Sequence, residues 1–213
     1  MLSPSCVYQS CRSSRLGEGG SLRRVVKLGG SLLGRKDLRS RLPQRLADSD
    51  RRTSRADEVL VLVGGGTMVD AVRELDAANH ADPTEIHWLC VDLMQKTLQL
   101  VHLWFPTWHV IGTQGQLAER CARGFASDVP SLICPSSFYH RDAASELPTD
   151  WRTTSDSIAV QLAIEVQADE VLLLKSCVID ESKSIDEMAN EGIVDEALPQ
   201  IAKRVPRLRI RQF

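Results

Sequence analysis

Two stretches decide the fold: Val25-Val26-Lys27-Leu28-Gly29-Gly30-Ser31, and Val59-Leu60-Val61-Leu62-Val63 followed by Gly64-Gly65-Gly66. Each is a short aliphatic run closed by a glycine turn, the pattern of a strand buried on both faces. Such strands belong to parallel sheets, whose crossovers place helices on either side. Helical patterns stand where that architecture needs them. Between the two runs, the Arg-rich stretch from Arg35 to Arg55 reads as a helix to about Ala47 and then a polar loop. After the triple glycine, Met68, Val72, Leu75 and Asn79 fall on helical spacing, with Thr67 and Asp70 placed as a capping box. Asp82-Pro83 offers an N-cap and a first-turn proline, and Ile86, Leu89, Leu93, Thr97, Leu100 and Trp104 trace one stripe behind it. Trp108 to Ile111 and Leu132 to Cys134 are short strand candidates around a helix from Gln114 to about Arg123. Thr154-Ser155-Asp156 opens a helix with Ile158, Leu162 and Val166 on its apolar side, and Val171 to Lys175 follows as a buried strand. A helix from about Asp195 to Arg204 and a charged edge strand, Leu208-Arg209-Ile210-Arg211, close the pattern. The expected fold is α/β, a three-layer α/β/α sandwich with a mostly parallel central sheet.

The 213 residues fit one core, expected over residues 22–213 behind a mobile tail at 1–21 that is rich in Ser, Gly and Arg. A net charge of −2 gives no long-range pull toward nucleic acid, so no nucleic-acid partner is expected. No apolar run approaches the roughly 20 residues of a membrane span, and the first residues lack the apolar core of a secretory signal. The expectation is a cytoplasmic protein without a membrane partner. The six cysteines form no C-x-x-C pair, and His87, His102, His109 and His140 are dispersed, so no metal site is expected.

Ligands of open α/β sheets bind beyond the carboxyl ends of the strands. There Lys27 stands just before Gly29-Gly30-Ser31, and Lys175 ends a strand made otherwise of aliphatics. Burying two ammoniums in equivalent places costs several kcal/mol unless an anion pairs with them, and a phosphate would satisfy both. The glycine loops would add backbone N–H groups and a following helix N-terminus. Neither a G-x-x-x-x-G-K-[ST] loop nor a G-x-G-x-x-G fingerprint occurs. Each residue also has a plainer reading. A strand-end lysine can snorkel, Asp156 and Asp70 suit the first turn of a helix, Arg73 suits a solvated face, and Trp151 either stacks on a ligand or closes a loop.

As an ordered set, K-x-G-G-S at Lys27 to Ser31, G-G-G at Gly64 to Gly66, T-S-D-S-I-A at Thr154 to Ala159 and the strand ending in Lys175 resemble the amino acid kinase superfamily. That group includes acetylglutamate kinase, aspartokinase, carbamate kinase, bacterial uridylate kinase and isopentenyl phosphate kinase. The resemblance covers most of Val25 to Lys175. It implies an ATP- and Mg²⁺-dependent kinase acting on a small-molecule phosphate or carboxylate, in a homodimer or higher homo-oligomer. Lys27 and Lys175 would neutralise the transferred phosphoryl group while Asp156 holds them. Gly29, Gly30, Ser31 and Ser176 would face the nucleotide, and Gly64, Gly65, Gly66, Asp70, Arg73, Thr154 and Ser155 the acceptor. An acceptor oxygen already ionised at neutral pH needs no general base, which suits a sequence without an obvious catalytic histidine.

Two departures accompany the resemblance. Ser176-Cys177-Val178-Ile179-Asp180 lacks the Asp-Gly loop many relatives carry after this strand, and the chain is shorter than typical relatives, with the missing length expected after Lys175. They leave open an alternative, a non-catalytic nucleotide or anion binding module with a reduced ATP lobe. Gly192-Ile193-Val194-Asp195, and Trp151 ahead of Thr153-Thr154-Ser155-Asp156, look similar to a short subgroup. That subgroup is the kinase of aminomethyl-furanmethanol phosphate in methanofuran-type cofactor assembly.

Overall fold

The computed structural model describes residues 21–47 and 57–213. The expected tail up to residue 20 and the polar loop after Ala47 lie outside the described residues. Six strands form one sheet in the order β3-β4-β2-β1-β5-β6, and every neighbouring pair is parallel. They are β1 (Arg23–Leu28), β2 (Glu58–Val63), β3 (His109–Ile111), β4 (Ser131–Ile133), β5 (Glu170–Lys175) and β6 (Leu208–Gln212). The helices are α1 (Leu38–Ala47), α2 (Thr67–Ala78), α3 (Pro83–Trp104), α4 (Gln114–Arg123), α5 (Ser155–Glu165), α6 (Ile185–Asn190) and α7 (Leu198–Ala202). Alternation along β1 splits the core in two. Val25 joins Leu60, Leu62 and α5 on one face, while Val26 and Leu28 join Leu38, Leu42 and Leu46 of α1 on the other. Helix α5 is buried on every side from Ser155 to Ala163, because β1, β5 and α7 surround it. No helix among the described residues is long and apolar enough to cross a membrane.

Four local expectations are corrected. On α3 the buried side is His87, Val91, Met94, Thr97, Leu98 and Val101, so of the expected stripe Thr97 is buried while Leu89 is exposed. The helix is apolar on two sides, so the expected stripe lies along the edge of the buried one. No residue of α2 is buried, and Leu75 is 68% exposed. The terminal helix is only Leu198–Ala202, because Asp195 is drawn away to another helix, as described below. Helix α6, which was not expected, is closed by a capping box between Ser184 and Glu187 that the sequence displays as S-x-x-E. The Asp82 cap of α3 is formed as read, its carboxylate accepting from the N–H groups of Thr84 and Glu85.

Candidate active site

The sheet grows outward from β1 in both directions, to β2 on one side and β5 on the other, so the topological switch lies at β1. Lys27 sits there, opposite Leu62 of β2 and Leu173 of β5, and is 5% exposed. Its ammonium lies 3.0 Å from Asp156 Oδ1, and the Lys175 ammonium donates to Asp156 Oδ2 at 2.5 Å. Asp156, 3% exposed, is carried by the first turn of α5. Burial alone would raise its carboxyl, but the two ammoniums overcome that and hold it below the usual carboxylate range. Burial and the neighbouring Lys27 lower the Lys175 ammonium, with Asp156 acting in the opposite sense. Two cations thus share one carboxylate in low-dielectric surroundings.

The glycine loops interlock directly above this triad. A Cβ on Gly30 would stand 2.0 Å from the Gly66 nitrogen, and one on Gly66, where φ is +57°, would stand 2.5 Å from the Gly30 carbonyl oxygen. Only glycine at both positions allows that approach. Ser31 and Ser176 meet hydroxyl to hydroxyl at 2.9 Å, tying the first loop to the end of β5.

The expected helix N-terminus after the first loop is absent, because Gly30–Gly34 form a 3-10 turn. The second loop does lead into α2, but Gly66 is its N-cap, without a side-chain cap bond. The helix therefore starts with Thr67 already inside it, and the Thr67–Asp70 capping box does not form. Asp70 instead pairs with Arg73 at 3.3 Å.

A cavity of about 220 Å³ opens from Lys27, Gly30 and Ser31 past Gly65 and Gly66 to Asp70, Arg73, Thr154 and Ser155. Gly29, Gly64, Lys175, Asp156 and Ser176 are not on its wall. Trp151 both closes the loop and lines the cavity. Its indole N–H donates to Asp76 at 2.9 Å, and the Arg73 guanidinium lies 4.7 Å from the centre of the ring.

Cys90 also lines the cavity, but burial pushes its thiol up to about 11, which keeps it protonated and a poor nucleophile. His87, assigned to no site from sequence, is on the wall too. Its ring nitrogens meet the Tyr139 hydroxyl at 3.0 Å and the Asp150 carbonyl at 3.3 Å, and burial lowers its pKa, so the neutral ring is structural. Asp195 is the second omission, since it accepts from the Thr154 hydroxyl and thereby occupies that candidate acceptor contact. Among the described residues no three His, Cys, Asp or Glu side chains gather as a metal site.

By sequence, no protein-family model and no curated protein matches the chain. By structure, it is similar to uridylate kinase from Archaeoglobus fulgidus, with TM-score 0.58 and 16% identity over 90% of this chain and 91% of that one. UMP kinase from Ureaplasma parvum gives TM-score 0.58 and 14% identity over 91% and 90%. Aspartate kinase from Synechocystis gives TM-score 0.57 and 18% identity over 89% of this chain and 38% of that one. The chain therefore shares the fold of these uridylate and aspartate kinases. About nine-tenths of this chain and of each uridylate kinase correspond.

Proposed function

We propose that the protein is an ATP-dependent small-molecule kinase that transfers the γ-phosphoryl group to a phosphate or carboxylate oxygen. The observation that carries this reading is the pair of strand-end ammoniums on one buried carboxylate, with interlocked glycine loops beside them. An ionised acceptor oxygen attacks the γ-phosphorus, the new P–O bond forms, and the bond to the β-phosphate oxygen breaks with its electron pair leaving on ADP. No proton need move. Lys27 and Lys175 stabilise the charge that spreads over the transferred group, and Asp156 fixes both ammoniums before the reaction begins. Mg²⁺ would enter on the ATP phosphates and neutralise part of their charge.

The resemblance in Gly192 to Asp195 and at Trp151 makes aminomethyl-furanmethanol phosphate the acceptor to try first, in a methanofuran-type pathway in the cytoplasm. Exposed Leu75 on α2, with Leu89 and Leu103 on α3, supports a homo-oligomer that covers these helices.

Calorimetric titration of MgATP into the protein and into Lys27→Ala tests the reading. Micromolar binding by the wild type, lost in a variant that still melts cooperatively, is the expected result. Binding that survives the substitution unchanged would refute it. MgATP binding without transfer to any phosphate or carboxylate would leave the anion-binding module.

A further inference from the structure

The segment beyond β5 returns to the lysine–carboxylate triad through one side chain. Asp195 follows α6, is 7% exposed, and aims its carboxylate at the first turn of α5. It accepts from the Thr154 N–H at 2.9 Å, the Thr154 hydroxyl at 2.9 Å, the Ser157 N–H at 3.0 Å and the Ser157 hydroxyl. Thr154 is the N-cap of α5, yet its own side chain makes no cap bond. The capping carboxylate is supplied instead by a residue 41 positions away. A backbone bond from the Ala197 N–H to the Arg152 carbonyl at 3.1 Å ties the same two segments a second time.

Asp156 lies between the two residues that Asp195 grips. Fixing Thr154 and Ser157 sets the rotation and depth of that turn, and so decides whether the two Asp156 oxygens can serve Lys27 and Lys175 separately. We propose that Asp195 is a positioning residue, which holds Asp156 between the two ammoniums and couples the segment after β5 to the phosphoryl site. Its kinetic consequence rests on the kinase reading, whereas the coupling itself does not. The charged groups around the Lys175 ammonium are Lys27 from β1, Asp156 from α5 and Asp195; burial and Asp156 raise the Asp195 carboxyl, and once ionised it favours the protonated lysine.

The test is Asp195→Asn, which keeps one oxygen for the α5 donors but turns an amide NH₂ toward the others. Transfer should fall about tenfold to a hundredfold in kcat with KM for the acceptor within about threefold, because positioning and not acceptor binding is lost. The alkaline limb of the pH–rate profile should move to lower pH, as Lys175 loses a neighbouring anion. A variant with lower Tm but wild-type kcat per active site and an unmoved alkaline limb would overturn the proposal.

A second arm needs no turnover. Calorimetric binding of inorganic tripolyphosphate is followed from pH 7 to pH 10, and its loss on the alkaline side should occur at lower pH in Asp195→Asn than in the wild type. An unmoved midpoint overturns the coupling. A moved midpoint without phosphoryl transfer by the wild type removes the kinase reading and leaves the coupling standing. Failure of the wild type to bind tripolyphosphate overturns both. If Asp195→Asn does not fold, Ser157→Ala removes one hydroxyl donor from the same carboxylate. It keeps the Asp195 charge, so the midpoint should stay while kcat falls about threefold to tenfold, and an unchanged kcat would overturn the positioning role.

Discussion

Strands β1 and β5 carry buried charge at both ends, and the two ends are built on different terms. At the amino ends, Arg23 meets Glu58 at 2.6 Å, Arg24 meets Glu170 at 2.8 Å and Asp57 at 3.2 Å, and Arg209 adds a second cation on Glu170 at 2.6 Å. These guanidiniums are rigid forks, each set on a carboxylate from a neighbouring strand or strand end. At the carboxyl ends, Lys27 and Lys175 place two compact point charges on one Asp156. Burial is alike at the two ends, so burial of charge does not identify a functional site. The informative difference is the cavity that opens onto Lys27 at the end where the strand order switches. One cluster fastens strands together. The other presents Lys27 to a cavity that an anion would fill.

If that contrast is right, removing Asp156 should have the largest effect in the molecule. Asp156→Ala leaves two buried ammoniums facing each other, which should cost about 3–5 kcal/mol of stability and abolish transfer. The pH dependence has a definite sign. The native carboxyl titrates below its ordinary value, so its stabilisation is fully present above about pH 4 and is lost as pH falls through the native pKa. The gap between wild type and variant should therefore close in acid. It should also narrow in alkali, because the Lys175 ammonium is already lowered by burial and can discharge there. Denaturant unfolding at pH 3, 7 and 10 measures this, and a gap independent of pH would break the comparison.

Arg24→Met probes the opposite end, some 10 Å along β1 from Lys27 at about 3.3 Å per residue. Arg24 is fully buried, and its loss leaves Glu170 with Arg209 and, more loosely, Arg207 at 3.5 Å. A stability loss of about 3 kcal/mol is expected, toward the low end for a broken buried pair because Glu170 keeps other cations. Transfer per folded molecule should stay within about twofold of wild type. A folded Arg24→Met protein with transfer reduced a hundredfold would mean the two clusters are one system and the division between them is false.

The legible and illegible parts of the chain separate along similar lines. Strands β2 and β5 were readable because a strand buried on both faces must be nearly all aliphatic, and Lys27 and Lys175 were readable because each interrupts or ends such a run. Arg23 and Arg24 fall outside the apolar run that reveals the first strand, and nothing beside them marks a role. Their partners Glu58 and Glu170 lie 35 and 146 positions away, and a long-range ion pair leaves no local pattern. Asp195 was hidden for the same reason, since its capping role is exercised on a helix that begins 40 positions earlier than itself. The interlock of Gly30 with Gly66 was visible only as composition. Two glycine clusters announce close approach without saying what approaches, and here it is one loop against the other.

The smallest effect concerns a group that the carboxyl end leaves unsatisfied. Thr153 is 5% exposed, lines the cavity, and its hydroxyl has no hydrogen-bond partner among the described residues. A buried hydroxyl without a partner costs about 1–3 kcal/mol, while a methyl in its place fills the same volume. Thr153→Val should therefore stabilise the free protein by about 1 kcal/mol, which for a chain of this size raises Tm by about 2–4 °C. Thermal melts decide the sign. A lower Tm would mean that the hydroxyl is bonded in the free protein and that the unmet polar capacity of this end is confined to its charges. A higher Tm would extend the contrast from charge to hydrogen bonding, with a neutral group near the cavity left unsatisfied at a cost to the free protein.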